Sequence, residues 1–154
     1  RAEAERRVAA GEAYALRLDL GRALPVATAA GPLSWVDDNR GSILAAPEPF
    51  GDVVLARKET PTSYHLAVTL DDALQGVTLV TRGADLFAAT HVHRLLQALL
   101  DLPVPRYRHH GLITDAGGRR LAKRDRAATI RSLRQQGFDA AEVRAMAGFG
   151  GLEL

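Results

Sequence analysis

The sequence predicts an α/β fold built around a parallel sheet, and three observations carry that reading. Short β-branched or alternating apolar runs are interleaved with segments whose apolar residues recur at helical spacing. The connections between them are short, as strand–helix–strand units require. After about residue 114 the pattern becomes helical throughout.

The elements follow in order. Residues 1–10 are rich in Ala, Glu and Arg, which favour helix, and the run stops at Gly11. Tyr14, Leu16 and Leu18 then alternate with Ala15, Arg17 and Asp19, the period of a half-buried strand. A second strand is expected over 33–37. The run Ala45-Ala46-Pro47-Glu48-Pro49-Phe50-Gly51 has linker composition and marks the expected internal boundary, with a short buried strand over 52–56 beyond it. Residues 64–74 have helical spacing and end at Gly76; 77–80 reads as a short β-branched central strand. Thr90 is placed as an N-cap for a helix burying Val92, Leu95, Leu96, Leu99 and Leu100 and stopping before Pro103. Residues 107–113 complete the strands. Ala127, Ile130 and Leu133 then predict a helix closed by Gly137, and Asp139 with Glu142 forms a capping-box pair opening another that ends near Gly148.

Composition narrows the function classes. The 154 residues suffice for one domain with a real core, and a net charge of +2 does not by itself point to nucleic acid. Seven basic residues against one acid between Arg119 and Arg134 make a local +6, so the remainder sums to −4. Such a face can hold phosphates although the whole is near neutral. The absence of cysteine excludes disulfides and thiolate metal sites within these residues and is compatible with a cytoplasmic protein. No apolar run approaches the ~20 residues needed to span a bilayer, and no signal-peptide pattern opens the chain.

The most informative motif is Asp115-Ala116-Gly117-Gly118-Arg119-Arg120-Leu121-Ala122-Lys123-Arg124. Glycines free backbone N–H groups and, with cationic side chains, make a cradle for a polyphosphate. A basic loop alone is equally a solvated face; its weight comes from the block upstream. That block contains Tyr64-His65-Leu66-Ala67-Val68, Asp71-Asp72, Gly76-Val77-Thr78 and Arg82-Gly83-Ala84-Asp85-Leu86, followed by Pro105, Tyr107 and His109.

In this order and spacing the residues resemble the second half of the catalytic domain of the class I glutamyl-tRNA synthetase family, and within it the short glutamyl-Q tRNA(Asp) branch. The resemblance implies a Rossmann-like nucleotide-binding fold. Residues 1–50 would be the remnant of an inserted acceptor-type domain, 51–113 the second half of the catalytic domain, and 114–154 the signature loop with C-terminal helices. It implies ATP with Mg2+ as cofactor, glutamate as substrate, tRNA(Asp) bearing queuosine as partner, and a monomer. The family's other nucleotide-gripping motif has no counterpart here, so the chain is expected to be the C-terminal half of that domain and inactive alone. Zinc, where the family has it, belongs to the part upstream.

Site roles carry over residue by residue. Tyr64 and Arg82 match the family's glutamate pocket: an arginine fork grips a carboxylate through charge-assisted hydrogen bonds, and a tyrosine hydroxyl adds direction. Read without the resemblance, Tyr64 is a core or rim aromatic, and Arg82 pairs with Asp71 or Asp85. Arg120, Leu121, Ala122 and Lys123 occupy the place of the family's ATP-binding signature, with Lys123 the catalytic lysine that stabilises charge as adenylate forms. Arg120 for lysine keeps the charge there; Ala122 for serine removes a hydroxyl.

The five histidines predict no metal site, because His91 and His93, two apart on a helix, point to different faces. Asp71 and Asp72, adjacent on a helix, predict capping or ion pairing rather than acid–base work. Two other readings stay open: a conventional glutamyl-tRNA synthetase fragment charging tRNA(Glu), and a non-catalytic helix-turn-helix binding nucleic acid through the helices flanking Gly137-Phe138-Asp139.

Overall fold

The computed structural model describes residues 2–114 and 129–148. Contacts group the chain into two compact units that divide after His110. In the first, α1 (Ala2–Ala9) precedes β1 (Ala15–Leu18), α2 (Leu20–Ala27), β2 (Ser34–Asp37), β3 (Gly41–Leu44), β4 (Val53–Arg57), α3 (Tyr64–Leu74), β5 (Leu79–Gly83), α4 (Ala89–Leu99) and β6 (Arg106–His110). Two sheets result. β1 pairs antiparallel with β4, while a four-stranded sheet runs in the order β3-β2-β6-β5. In that sheet β6 is parallel to both β2 and β5, and β3 turns back on β2 as a hairpin. This mixed sheet realises the α/β class that the alternation of elements predicts.

The core gathers on α4. Its Val92 and Leu95 are fully buried and Leu96 nearly so. Leu95 packs with Leu20 and Leu33, whereas Val92 and Leu96 pack with Val53. One helix therefore ties α2 to the β1–β4 pair, each buried aliphatic contributing roughly 1.5–3 kcal/mol. Under the four-stranded sheet, Trp35 meets Phe87, Tyr107 and His109 at ring-centroid distances of 5.1, 5.3 and 5.8 Å.

Several expected elements shift, each for a local reason. The strand expected at 77–80 begins at Leu79, because Gly76, at φ +65°, and the N–H of Val77 bonded to the Asp72 carbonyl still belong to the end of α3. Thr90 is not the N-cap of α4. That position is Ala88, reached from a 3-10 turn at Ala84–Leu86, and the Thr90 hydroxyl is engaged elsewhere. The strand expected over 107–113 is Arg106–His110. Two elements lacked a sequence signal. Pro25 disguises α2, whose start is capped by Asp19 accepting from the N–H of Arg22. The second is β3, which follows a tight turn closed by Gly41 at φ +78°. Glu48–Phe50, within the linker-like run, forms a 3-10 turn.

In the second unit, α5 (Ile130–Gln135) and α6 (Ala140–Met146) are joined through Gly137 at φ +93°. The capping box of Asp139 with Glu142 is formed as the spacing predicts, and a second joins Thr129 to Ser132. Both helices are short. No helix among the described residues is long and apolar enough to cross a membrane.

Candidate amino-acid site

The first unit holds a buried polar network centred on Arg82, which sits near the end of β5 with 9% exposure. Its Nε donates to Nε2 of His109 at 3.1 Å, Nη1 lies 3.2 Å from Nδ1 of His93, and Nη2 donates to the Thr90 hydroxyl. The guanidinium carbon lies 5.1 Å from the ring centre of Tyr107, a cation–π contact. None of these partners is a carboxylate, so the pairing with Asp71 or Asp85 weighed from sequence is not what holds Arg82.

The network extends in two directions. Inward, Nδ1 of His109 lies 2.6 Å from Oδ2 of Asp37, with both side chains wholly buried. The backbone N–H of Asn39 donates to the other Asp37 oxygen at 2.9 Å, and the Asn39 side chain donates to the His109 carbonyl at 2.9 Å. Outward, Nε2 of His93 lies 3.1 Å from Nδ1 of His65. The Tyr64 ring packs on both histidines, 5.6 Å from His65 and 5.7 Å from His93. Ser63 caps α3 by accepting from the N–H of Leu66, which fixes Tyr64 and His65 at the first turn.

Electrostatics keep these rings neutral. Burial, then the charge of Arg82 and the neighbouring His65, pushes His93 down to about 3. Burial and Arg82 also lower His65. At His109 burial and Arg82 outweigh the opposing pull of Asp37, and the result is again a lowered value. Burial alone would raise the Asp37 carboxyl, but hydrogen bonds from His109 and Asn39 reverse it and hold Asp37 below the usual carboxylate range. Asp72 is raised by burial, only partly offset by Arg82.

Beside the network lies a cleft of about 480 Å³ whose wall includes Arg17, Asp52, Arg57, Ser63, Tyr64 and His65. Tyr64 is half exposed there. Arg82 is not part of the lining; it connects to the cleft through His93 and His65. The structure thus brings Tyr64 and Arg82 onto the same histidine. Arg120, Leu121, Ala122 and Lys123 lie outside the described residues. Sequence reasoning gave Asp37 no role in a site, read Thr90 as a helix cap and assigned no task to His65, His93 or His109, because their partners come from other elements of the fold. Their one signal was an excess of histidines around Arg82. Among the described residues, no three His, Cys, Asp or Glu side chains are grouped to hold a metal ion.

Comparison with known proteins agrees with the motif order. Residues 1–151 match the family described as tRNA synthetases class I (E and Q), catalytic domain. A glutamyl-Q tRNA(Asp) synthetase of Rhodobacter capsulatus is 61% identical over 98 residues, 64% of this chain and 35% of that protein. Its counterpart in Nocardia farcinica is 45% identical over 98 residues, 64% and 32% of the two chains. Glutamate–tRNA ligase 1 of Methylococcus capsulatus is 37% identical over 106 residues, 69% and 23% of the two. The chain therefore spans about a third or less of the length of these relatives. A glutamate tRNA ligase structure from Elizabethkingia meningosepticum superposes with a TM-score of 0.60 at 22% identity, covering 89% of this chain and 25% of that one. That likeness concerns the fold. With the family match running over nearly the whole sequence, the chain belongs to the catalytic domain of the class I tRNA synthetases for glutamate and glutamine, a family of aminoacyl-tRNA ligases.

Proposed function

We propose that this chain is the glutamate-binding part of an enzyme that activates glutamate with ATP and transfers it to the queuosine base of tRNA(Asp). The observation that supports it is Arg82: a buried guanidinium hydrogen-bonded to no carboxylate among the described residues, joined to Tyr64 through His93. Guanidinium offers five N–H donors, and three serve His109, His93 and Thr90. Nη1 and Nη2 each carry a second N–H, the fork that suits a carboxylate, and the guanidinium stands behind His93 and His65 rather than in the cleft wall itself. Tyr64 at the cleft rim supplies a hydroxyl. Catalysis in this reading is positioning and charge stabilisation, since an activated carboxylate needs no protein nucleophile.

The remaining assignments come from the resemblance. Lys123, with Arg120, Leu121 and Ala122, holds the ATP phosphates, and Mg2+ accompanies the nucleotide. Residues 1–50 belong to the inserted domain, 51–113 to the catalytic half and 114–154 to the signature loop and its helices; the enzyme is a cytoplasmic monomer. The test uses the full-length protein. Glutamate-dependent ATP–pyrophosphate exchange, followed by transfer of labelled glutamate to queuosine-bearing tRNA(Asp) but not to tRNA lacking the base, is the expected result. Labelling of tRNA(Glu) alone would establish the second reading, a conventional glutamate–tRNA ligase, which the Methylococcus relative favours.

A further inference from the structure

We propose that Asp37 is a positioning residue for Arg82, acting through His109, and that one fixed proton order runs from Asp37 to the cleft wall at His65. The count of donors and acceptors fixes this order. Asp37 accepts from the N–H of Asn39 and lies 2.6 Å from Nδ1 of His109, so His109 must carry its proton on Nδ1. That leaves Nε2 as the acceptor that the Arg82 Nε–H needs at 3.1 Å. Arginine has no acceptor, so the nitrogen of His93 facing Nη1 is bare and its proton sits on Nε2. That proton points the next hydrogen bond at Nδ1 of His65, 3.1 Å away. His65 therefore carries its own proton on Nε2 and offers the cleft an N–H donor.

Any single reversal would set donor against donor at the buried Arg82–His109 or Arg82–His93 contact or at the half-buried His93–His65 contact, where an unmade bond carries a desolvation cost. The Thr90 hydroxyl, 3.3 Å from the bare Nε2 of His109, can donate to that nitrogen. Asp37 and Arg82 thus act together. The carboxylate fixes the inner ring, the guanidinium fixes the outer two, and Arg82 itself is anchored at all three nitrogens. The binding consequence is that His65 joins Tyr64 in recognising an acceptor oxygen of the amino acid, while Arg82 supplies the charge that favours an anion. This consequence rests on the proposed glutamate site; the proton order does not.

The test uses the full-length protein labelled with ¹⁵N at histidine. Ring-nitrogen shifts and couplings are expected to show neutral His109 protonated at Nδ1, with His93 and His65 protonated at Nε2. A wild-type His109 protonated at Nε2 would overturn the proposal without any variant. In Asp37→Asn, Asn39 holds the amide oxygen, so the NH2 group faces Nδ1 of His109 and drives its proton to Nε2, against Arg82. The KM for glutamate is then expected to rise about tenfold, with the KM for ATP unchanged. His109→Phe keeps the ring and removes both nitrogens, and is expected to give the same glutamate-selective rise. A glutamate KM at the wild-type value in either folded variant, or equal rises for both substrates, would count against positioning. Arg82→Ala separates the two readings: if it leaves glutamate kinetics unchanged, the glutamate site is misplaced, and the spectrum still decides the proton order.

Discussion

Asp37 and His109 are 72 positions apart in sequence and meet at 2.6 Å with neither side chain reachable by water. One ends β2 and the other lies on β6, so their contact exists only because those strands run parallel and adjacent. Everything the site does with Arg82 starts from that contact.

Replacing Arg82 is expected to be the most damaging change to glutamate use. Arg82→Lys keeps the charge but loses the fork and its three anchors. Loss of two charge-assisted bonds predicts a fall of about a hundredfold in kcat/KM for glutamate. Steady-state pyrophosphate exchange checks it, and a drop under threefold would rule out direct recognition.

At the rim, Tyr64→Phe removes one oxygen from a half-exposed ring. The packing on His65 and His93 survives, so unfolding temperature is expected to stay put while the KM for glutamate rises about tenfold. Unchanged kinetics would make Tyr64 a packing residue only.

For the signature loop, Lys123→Ala is expected to lower kcat of exchange about a hundredfold while leaving the KM for glutamate near its wild-type value. A change confined to glutamate KM would move Lys123 out of the phosphate role.

Acid is expected to weaken the fold. His93, His65 and His109 all have native values below 6.5, so the unfolded chain binds more protons once pH falls under that point. Stability is full above the unfolded value and declines as pH drops through 6.5 toward about 3, where His93 finally titrates in place. Each such histidine steepens the decline by up to about 1.4 kcal/mol per pH unit. Asp37, with its lowered value, adds to the loss below 3.8. Thermal unfolding between pH 7 and pH 4 measures this, and a flat profile would mean the rings are charged in the native state.

Trp35, the chain's one tryptophan, is 2% exposed and ringed by aromatics. Trp35→Ala should cost about 3–5 kcal/mol by emptying that space. Denaturant titration followed by circular dichroism gives the number, since the variant no longer has indole fluorescence.

Much of this was legible in the residues. Local signals were strong where a cap, a glycine or helical spacing acted within a few residues, as at Gly76 after α3 or Asp139 with Glu142. The family motifs singled out Tyr64 and Arg82, which the fold brings onto one histidine. What sequence could not supply was pairing across strands. Thr90 looked like a helix cap because capping is its usual local use; its hydroxyl is taken by Arg82 from β5. Asp37 reads only as the last residue of the strand expected over 33–37, and nothing within ten residues of it predicts a histidine on β6. The α2 helix was hidden by Pro25, whose missing N–H costs little in so short a helix once Asp19 caps its start.

The parallel pairing of β2 with β6 has a consequence in time. The register pairs Asp37 with Tyr107, separated by most of the first unit, and loop closure of that length comes late in assembly. Local helices and the β2–β3 hairpin can form first, but they leave Arg82 without its inner anchor. The grip on Arg82 is therefore a completion signal: a newly made chain acquires it only when the sheet has closed, and partly folded copies pass through synthesis without it.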